Sequence, residues 1–106
     1  MKHVKQQDPN GCGLACVAMV AGDHVTYEMA RSVWLNKCHG DIRRILAGGD
    51  GLRIYEVMDL GHLFGIKTWP LMAPAIVQVR SRSNQNNWHY VVVTEDGTIL
   101  DPALDD

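Results

Sequence analysis

The chain has 106 residues, of which 46% are hydrophobic and 21% charged, with a formal net charge of −2. That balance excludes a disordered chain and fits one domain, residues 1–106, with a core of modest size. It carries no polybasic signature, so no nucleic acid partner is expected, and no apolar run is long enough to expect a membrane segment. The opening stretch MKHVKQQDPNG has no apolar signal region, so a cytoplasmic location is expected. The cysteines, Cys12, Cys16 and Cys38, are odd in number, which argues against a disulfide framework.

In chain order, the first half reads as helices. From Cys12 to Val20 nearly every side chain is apolar or small, the pattern of a helix buried on all sides. Gly22 and Asp23 end it. Thr26 is placed to cap a second helix, with Tyr27, Ala30, Val33 and Trp34 on one face. Asp41 starts a short third helix whose expected buried side is Ile42, Ile45 and Leu46. Gly48 to Gly51 is a glycine-rich loop. A fourth helix carries Ile54, Val57, Met58, Gly61 and Phe64 at helical spacing, and Gly65 suits a left-handed close. The second half reads as strands: a weak one over Lys67 to Leu71, then Ala75 to Arg80, a polar loop over Ser81 to Asn87, Trp88 to Thr94, and Thr98 to Asp101. Helices followed by an antiparallel sheet make an α+β class.

The chemistry concentrates at Cys12. It opens the buried helix, where unpaired N–H groups and the helix dipole favour a thiolate, the nucleophilic form. Gly11 and Gly13 flank it and leave the backbone bare for a substrate carbonyl, with the Cys12 amide free for an oxyanion. Cys16 lies one turn deeper and reads as a small core residue. A thiolate needs a base, and the base needs an orienting group. Of five histidines, His89 is the polar residue at the head of an otherwise apolar strand. A three-residue loop Glu95-Asp96-Gly97 pairs Thr94 with Thr98 and puts Val91 opposite Asp101. His89 is then the diagonal neighbour of Asp101, about 7–8 Å away by backbone and within side-chain reach. A two-residue Asp-Gly turn would pair Val92 with Asp101 and turn the two side chains to opposite faces.

At this point the chain resembles a known family. Gln6, five residues, then Cys12-Gly13-Leu14-Ala15-Cys16 is similar to Q-x5-C-G-x-A-C of the bacteriocin-processing, double-glycine leader peptidases of the papain-like clan. The segment HYVVVTEDGTILDPA resembles that family's His strand and Asp-Pro. The likeness covers both ends of the chain and is thin in the middle. It departs at Gly11, where the family usually has Asp. The resemblance implies a papain-like fold, with N-terminal helices, a buried nucleophile helix and a small C-terminal antiparallel sheet. It implies a cysteine peptidase with Cys12 as nucleophile, His89 as base and acid, Asp101 orienting His89, and Gln6 donating its amide to the oxyanion. No cofactor and no metal are implied, and the partner is a peptide or protein substrate.

Rival readings attach to the same residues. A deamidase or transpeptidase would use the same site with another leaving group or acceptor. A non-catalytic papain-like domain would keep the fold to bind a peptide or protein. Cys12, Cys16, Cys38 and His39 are a zinc alternative, set against the burial expected for Cys16. Trp34, Trp69 and Trp88 are expected in the core.

Overall fold

A computed structural model of the protein describes residues 1–46, 51–66, 74–81 and 88–104. The expected strand over 67–71 with Trp69, the polar loop over 82–87 and the glycines at 48 and 49 lie outside the described residues. The order is α1 (Cys12–Ala21), α2 (Tyr27–Lys37), α3 (Ile42–Leu46), α4 (Ile54–Leu63), β1 (Ala75–Arg80), β2 (Trp88–Val93) and β3 (Ile99–Leu100). The strands form one antiparallel sheet in the order β1-β2-β3. The class is α+β. Among the described residues no helix is long and apolar enough to cross a membrane.

Helix α1 is the centre of the molecule. Every residue from Cys12 to Met19 is buried, so the helix is packed on all sides. It contacts α2, α4 and the sheet. Burying this many apolar side chains is the main driving term of the fold, at roughly 1.5–3 kcal/mol for each large one. Thr26 caps α2, its hydroxyl accepting the Met29 N–H at 3.2 Å. Tyr27, Ala30 and Trp34 are buried along that helix, and Val33 packs at the core's margin.

Two helix faces differ from expectation. In α3 Ile45 alone is fully buried, and Leu46 is exposed. Five residues make little more than one turn, which turns one side chain inward. Its neighbour Arg44 reaches across to α4 and grips the Glu56 carboxylate with two bonds of 2.8 and 2.6 Å, while also donating to the Gly51 carbonyl at 2.9 Å. In α4 the buried stripe is Val57, Leu60 and Gly61, continued by the partly buried Phe64. Leu60 joins the core, and Ile54, at the helix entry, is exposed. Helix α4 ends as its sequence suggests. Gly65 has φ +84, with Gly65 N–H bonded to His62 O at 3.1 Å and Ile66 N–H to Gly61 O at 2.9 Å. Those two bonds are a Schellman close.

The β2–β3 hairpin decides the site. Val92 pairs with Leu100 and Val93 with Ile99. Thr94 N–H bonds Thr98 O at 2.9 Å, so the loop is Glu95-Asp96-Gly97. Gly97 sits at φ +87, the left-handed residue that a three-residue hairpin of this kind needs. Continuing the register places Val91 opposite Asp101. Trp88, expected in the core, is 56% exposed and lies beside Arg80, whose guanidinium is 5.0 Å from the ring centroid. It stands at the outer end of β2, beyond the part of the sheet that the core covers.

The hairpin gives a first prediction. A Cβ at Gly97 meets nothing within 4 Å, so Gly97→Ala carries only the backbone penalty of a left-handed residue, about 1–2 kcal/mol. Urea denaturation should show that loss, and Gly97→Asn should lose less, because Asn tolerates the left-handed region.

Candidate active site

Three of the four residues singled out in the sequence come together. Cys12 is the first residue of α1 and 7% exposed. His89, on β2, donates from Nε2 to Asp101 Oδ1 at 2.6 Å. The Cys12 side chain lies close enough to the His89 ring to be the largest influence on its charge. With Nε2 committed to the carboxylate, Nδ1 is the nitrogen left for the thiol. The imidazole therefore stands between a thiol on the first helix and a carboxylate just past the last strand.

Asp101 is itself held. Its Oδ1 also accepts the Ala103 N–H at 2.9 Å, and Leu104 N–H bonds its carbonyl at 3.2 Å. This is a tight turn with Pro102 second, the position at which proline's fixed φ suits a turn. Pro102 is fully buried. The N-terminal arm runs along the same turn. His3 Nε2 donates to the Asp101 carbonyl at 2.8 Å, and Gln6 N–H donates to the Pro102 carbonyl at 2.9 Å.

The charge balance follows from these contacts. The His89 pKa is raised to about 9, first by its interaction with the Cys12 side chain, against burial, with Asp101 adding to the rise. The ring is thus an imidazolium at neutral pH, and both nitrogens are donors. Cys16 is fully buried, and burial holds its thiol well above the ordinary range. It stays protonated and packs as a small apolar side chain. All three cysteines are free thiols. Among the described residues no three His, Cys, Asp or Glu side chains are grouped to hold a metal ion.

Gln6 is placed differently. Its Nε2 donates to the carbonyls of Asp8 and Pro9, both at 3.1 Å, so both amide hydrogens are engaged within its own loop. Its Oε1 is buried without a partner among the described residues. Turning the amide over would face Oε1 with two carbonyls, so the donor orientation stands.

The glycines around Cys12 have a reason other than an open approach for substrate. A Cβ at Gly11 would lie 1.8 Å from the Tyr27 hydroxyl oxygen, and one at Gly13 would lie 3.1 Å from Val57 Cγ2 and 3.4 Å from Leu52 Cβ. Both positions are filled from within the protein. Gly11 is the N-cap of α1, and no side chain caps the helix. Ala15 N–H makes the first helical bond, to Gly11 O at 3.0 Å. The amides of Cys12, Gly13 and Leu14 have no helical carbonyl to bond, as at any helix start.

Other residues at the site carried no signal in the sequence. Tyr90, read as one more strand residue, donates its hydroxyl to Leu52 O at 2.8 Å and ties β2 to the segment before α4. Asp8 is buried and accepts the Tyr27 hydroxyl at 2.7 Å. The Asp8-Pro9 pair suggests a turn, but no local pattern says that the carboxylate points inward.

Two measurements check this geometry. Native protein should be alkylated at Cys12, with Cys16 reacting only in denaturant, as peptide mass after brief iodoacetamide treatment would show. The second is pH-dependent. Because the His89 pKa is raised from 6.5 to about 9 on folding, its charged form adds stability that is fully present below 6.5 and is lost as pH rises through about 9. The urea midpoint of the wild type should therefore lose its lead over His89→Ala across that window. A lead that stays constant there would contradict the charged pair.

Comparison with protein-family models, with curated proteins and with solved structures finds no match to this chain.

Proposed function

We propose that the protein is a thiol hydrolase of papain-like type that cleaves a peptide or isopeptide bond through a covalent thioester. The observation that carries the proposal is the placement of the imidazole, with the 2.6 Å His89–Asp101 bond on one side and the Cys12 thiol on the other. A nucleophile, a base and an orienting carboxylate in that order make an activated site. The motif resemblance to the bacteriocin-processing peptidases points the same way, and assigns the same three residues.

The chemistry runs as follows. The Cys12 thiolate, stabilised by the His89 imidazolium, attacks the substrate carbonyl carbon. The carbonyl oxygen becomes an oxyanion facing the free Cys12 amide at the start of α1, where the helix dipole favours negative charge. Gln6 supplies a second donor by exchange. Its bond to the Asp8 carbonyl keeps the amide oriented, while its solvent-exposed bond to the Pro9 carbonyl is replaced by a charge-assisted bond to the oxyanion. Collapse breaks the carbon–nitrogen bond, and His89 gives its proton to the leaving amine. The thioester remains on Cys12. Neutral His89 then takes a proton from water, the hydroxide adds to the thioester carbon, and the acid product leaves with Cys12 restored. Asp101 holds the ring in place and stabilises its charge in each half.

An activated ester tests acyl transfer without a known substrate. With p-nitrophenyl acetate the wild type should release a burst of one equivalent of nitrophenol and carry acetyl on Cys12 by mass. Cys12→Ala should abolish the burst. His89→Ala should slow it by roughly 10²- to 10⁴-fold, the usual contribution of a general base. Asp101→Asn should slow it less. Acetylation confined to lysines, or a burst indifferent to His89, would leave a papain-like domain kept for binding.

A further inference from the structure

The loop that delivers Cys12 rests on a buried polar network that takes no part in the proposed chemistry. Among the described residues, Asp8 is the one charged side chain that is buried, at 8% exposure. Its Oδ2 accepts the Tyr27 hydroxyl at 2.7 Å and lies 3.5 Å from Arg31 Nε. Tyr27 and Arg31 are four residues apart on α2, one helical turn, so they face the loop together. The backbone of Asp8 is used as well. Its carbonyl accepts the Gly11 N–H and the Gln6 side-chain amide, each at 3.1 Å. One residue therefore joins α2 to the proposed oxyanion donor at one end of the loop and to the neighbour of the nucleophile at the other.

The fit at Gly11 is steric as well as polar. The Tyr27 hydroxyl fills the space that a side chain at position 11 would take, since a Cβ there would stand 1.8 Å from it. A turn that had only to reverse the chain would leave its Asp in water, because a buried carboxylate costs several kcal/mol unless it is paired. Burial, and then the bond to Asp8, raise the Tyr27 pKa, so the hydroxyl remains a donor through the neutral range.

We propose that Asp8 and Tyr27, backed by Arg31, are positioning residues: they fix where the Cys12 thiol stands against His89 and where the Gln6 amide stands against the Cys12 N–H. The inference rests on the thiol-hydrolase reading. Its physical basis is that attack geometry tolerates little error, with a displacement of about 1 Å able to cost roughly 10²-fold in rate. The network touches no substrate and acts only through the loop.

The test is the rate of Cys12 alkylation by iodoacetamide from acid to alkaline pH, read by peptide mass, with thermal unfolding followed in parallel. Wild type and His89→Ala are compared with Tyr27→Phe, Asp8→Asn, Asp8→Leu, Gly11→Ala and the double variant Gly11→Ala/Tyr27→Phe. Tyr27→Phe should remain folded and lose roughly tenfold in the neutral-pH rate, the scale expected when a hydrogen bond to a charged group is removed. Asp8→Asn keeps an acceptor for the hydroxyl and should retain most of the rate that Asp8→Leu loses. Gly11→Ala should be poor, and Tyr27→Phe should partly rescue it by removing the colliding oxygen. If Gly11→Ala does not fold, the Tyr27 and Asp8 variants decide. Folded variants with lower unfolding midpoints but the wild-type alkylation curve would overturn the inference and leave the network a structural one. A wild-type curve no faster than that of His89→Ala would overturn the hydrolase reading and this inference with it. The two failures are thus told apart by the wild type alone.

Discussion

The constraint on which the structure depends is that α1 is buried on every side. A helix with no polar face cannot lie on a surface. It needs α2 and α4 around it and a sheet beside it, and the chain supplies these in turn. The arrangement also fixes where chemistry can occur. A fully enclosed helix opens only at its ends, and Cys12 is at the N-terminal one. Cys16, one turn further in, is sealed in the core and held protonated. The same helix thus places one thiol at its open end and seals the other in the core.

The second half of the site is set by a register, and a register is a matter of parity. The sequence leaves two ways to turn between Thr94 and Thr98, and they put His89 and Asp101 on the same face or on opposite faces. Gly97 at φ +87 and the Thr94–Thr98 bond belong to the three-residue loop. That the His–Asp contact was legible in advance follows from the exact two-residue period of a strand, which makes the outcome of a one-residue change easy to compute. The helices were legible for a similar reason, since α1, α2 and the Gly65 close all have local causes: uniform apolarity, a capping threonine and a left-handed glycine.

What was not legible depends on partners distant in sequence. Leu46 and Ile54 look like core residues by spacing, yet short α3 and the entry of α4 leave both exposed. Trp88 looks like core by type and lies at the uncovered end of its strand. The Asp8–Tyr27 bond joins residues 19 apart, and neither residue announces it. Gln6 shows the limit from the other side. The motif resemblance singles it out from Gln7, but its amide is spent on the Asp8 and Pro9 carbonyls, so the proposed role needs an exchange of partners that no motif describes.

The start of α1 gives a last argument from energetics. A Ser, Thr, Asp or Asn at an N-cap stabilises a helix by about 1 kcal/mol over a residue without a capping side chain, other than glycine, and a surface helix would commonly have one. Here the N-cap is Gly11, no side chain caps the helix, and the Tyr27 hydroxyl occupies the room that a capping side chain would need. A capping oxygen would also accept the very amides that the proposed mechanism turns towards an oxyanion. The protein gives up the cap and holds the loop instead from beneath, through Asp8. Stability that an ordinary helix gains from local capping is supplied by a buried contact with α2, and the first-turn amides of α1 stand without a capping side chain beside Cys12. That distribution makes sense if those donors are reserved for a ligand with developing negative charge, which is what acyl transfer at Cys12 would bring.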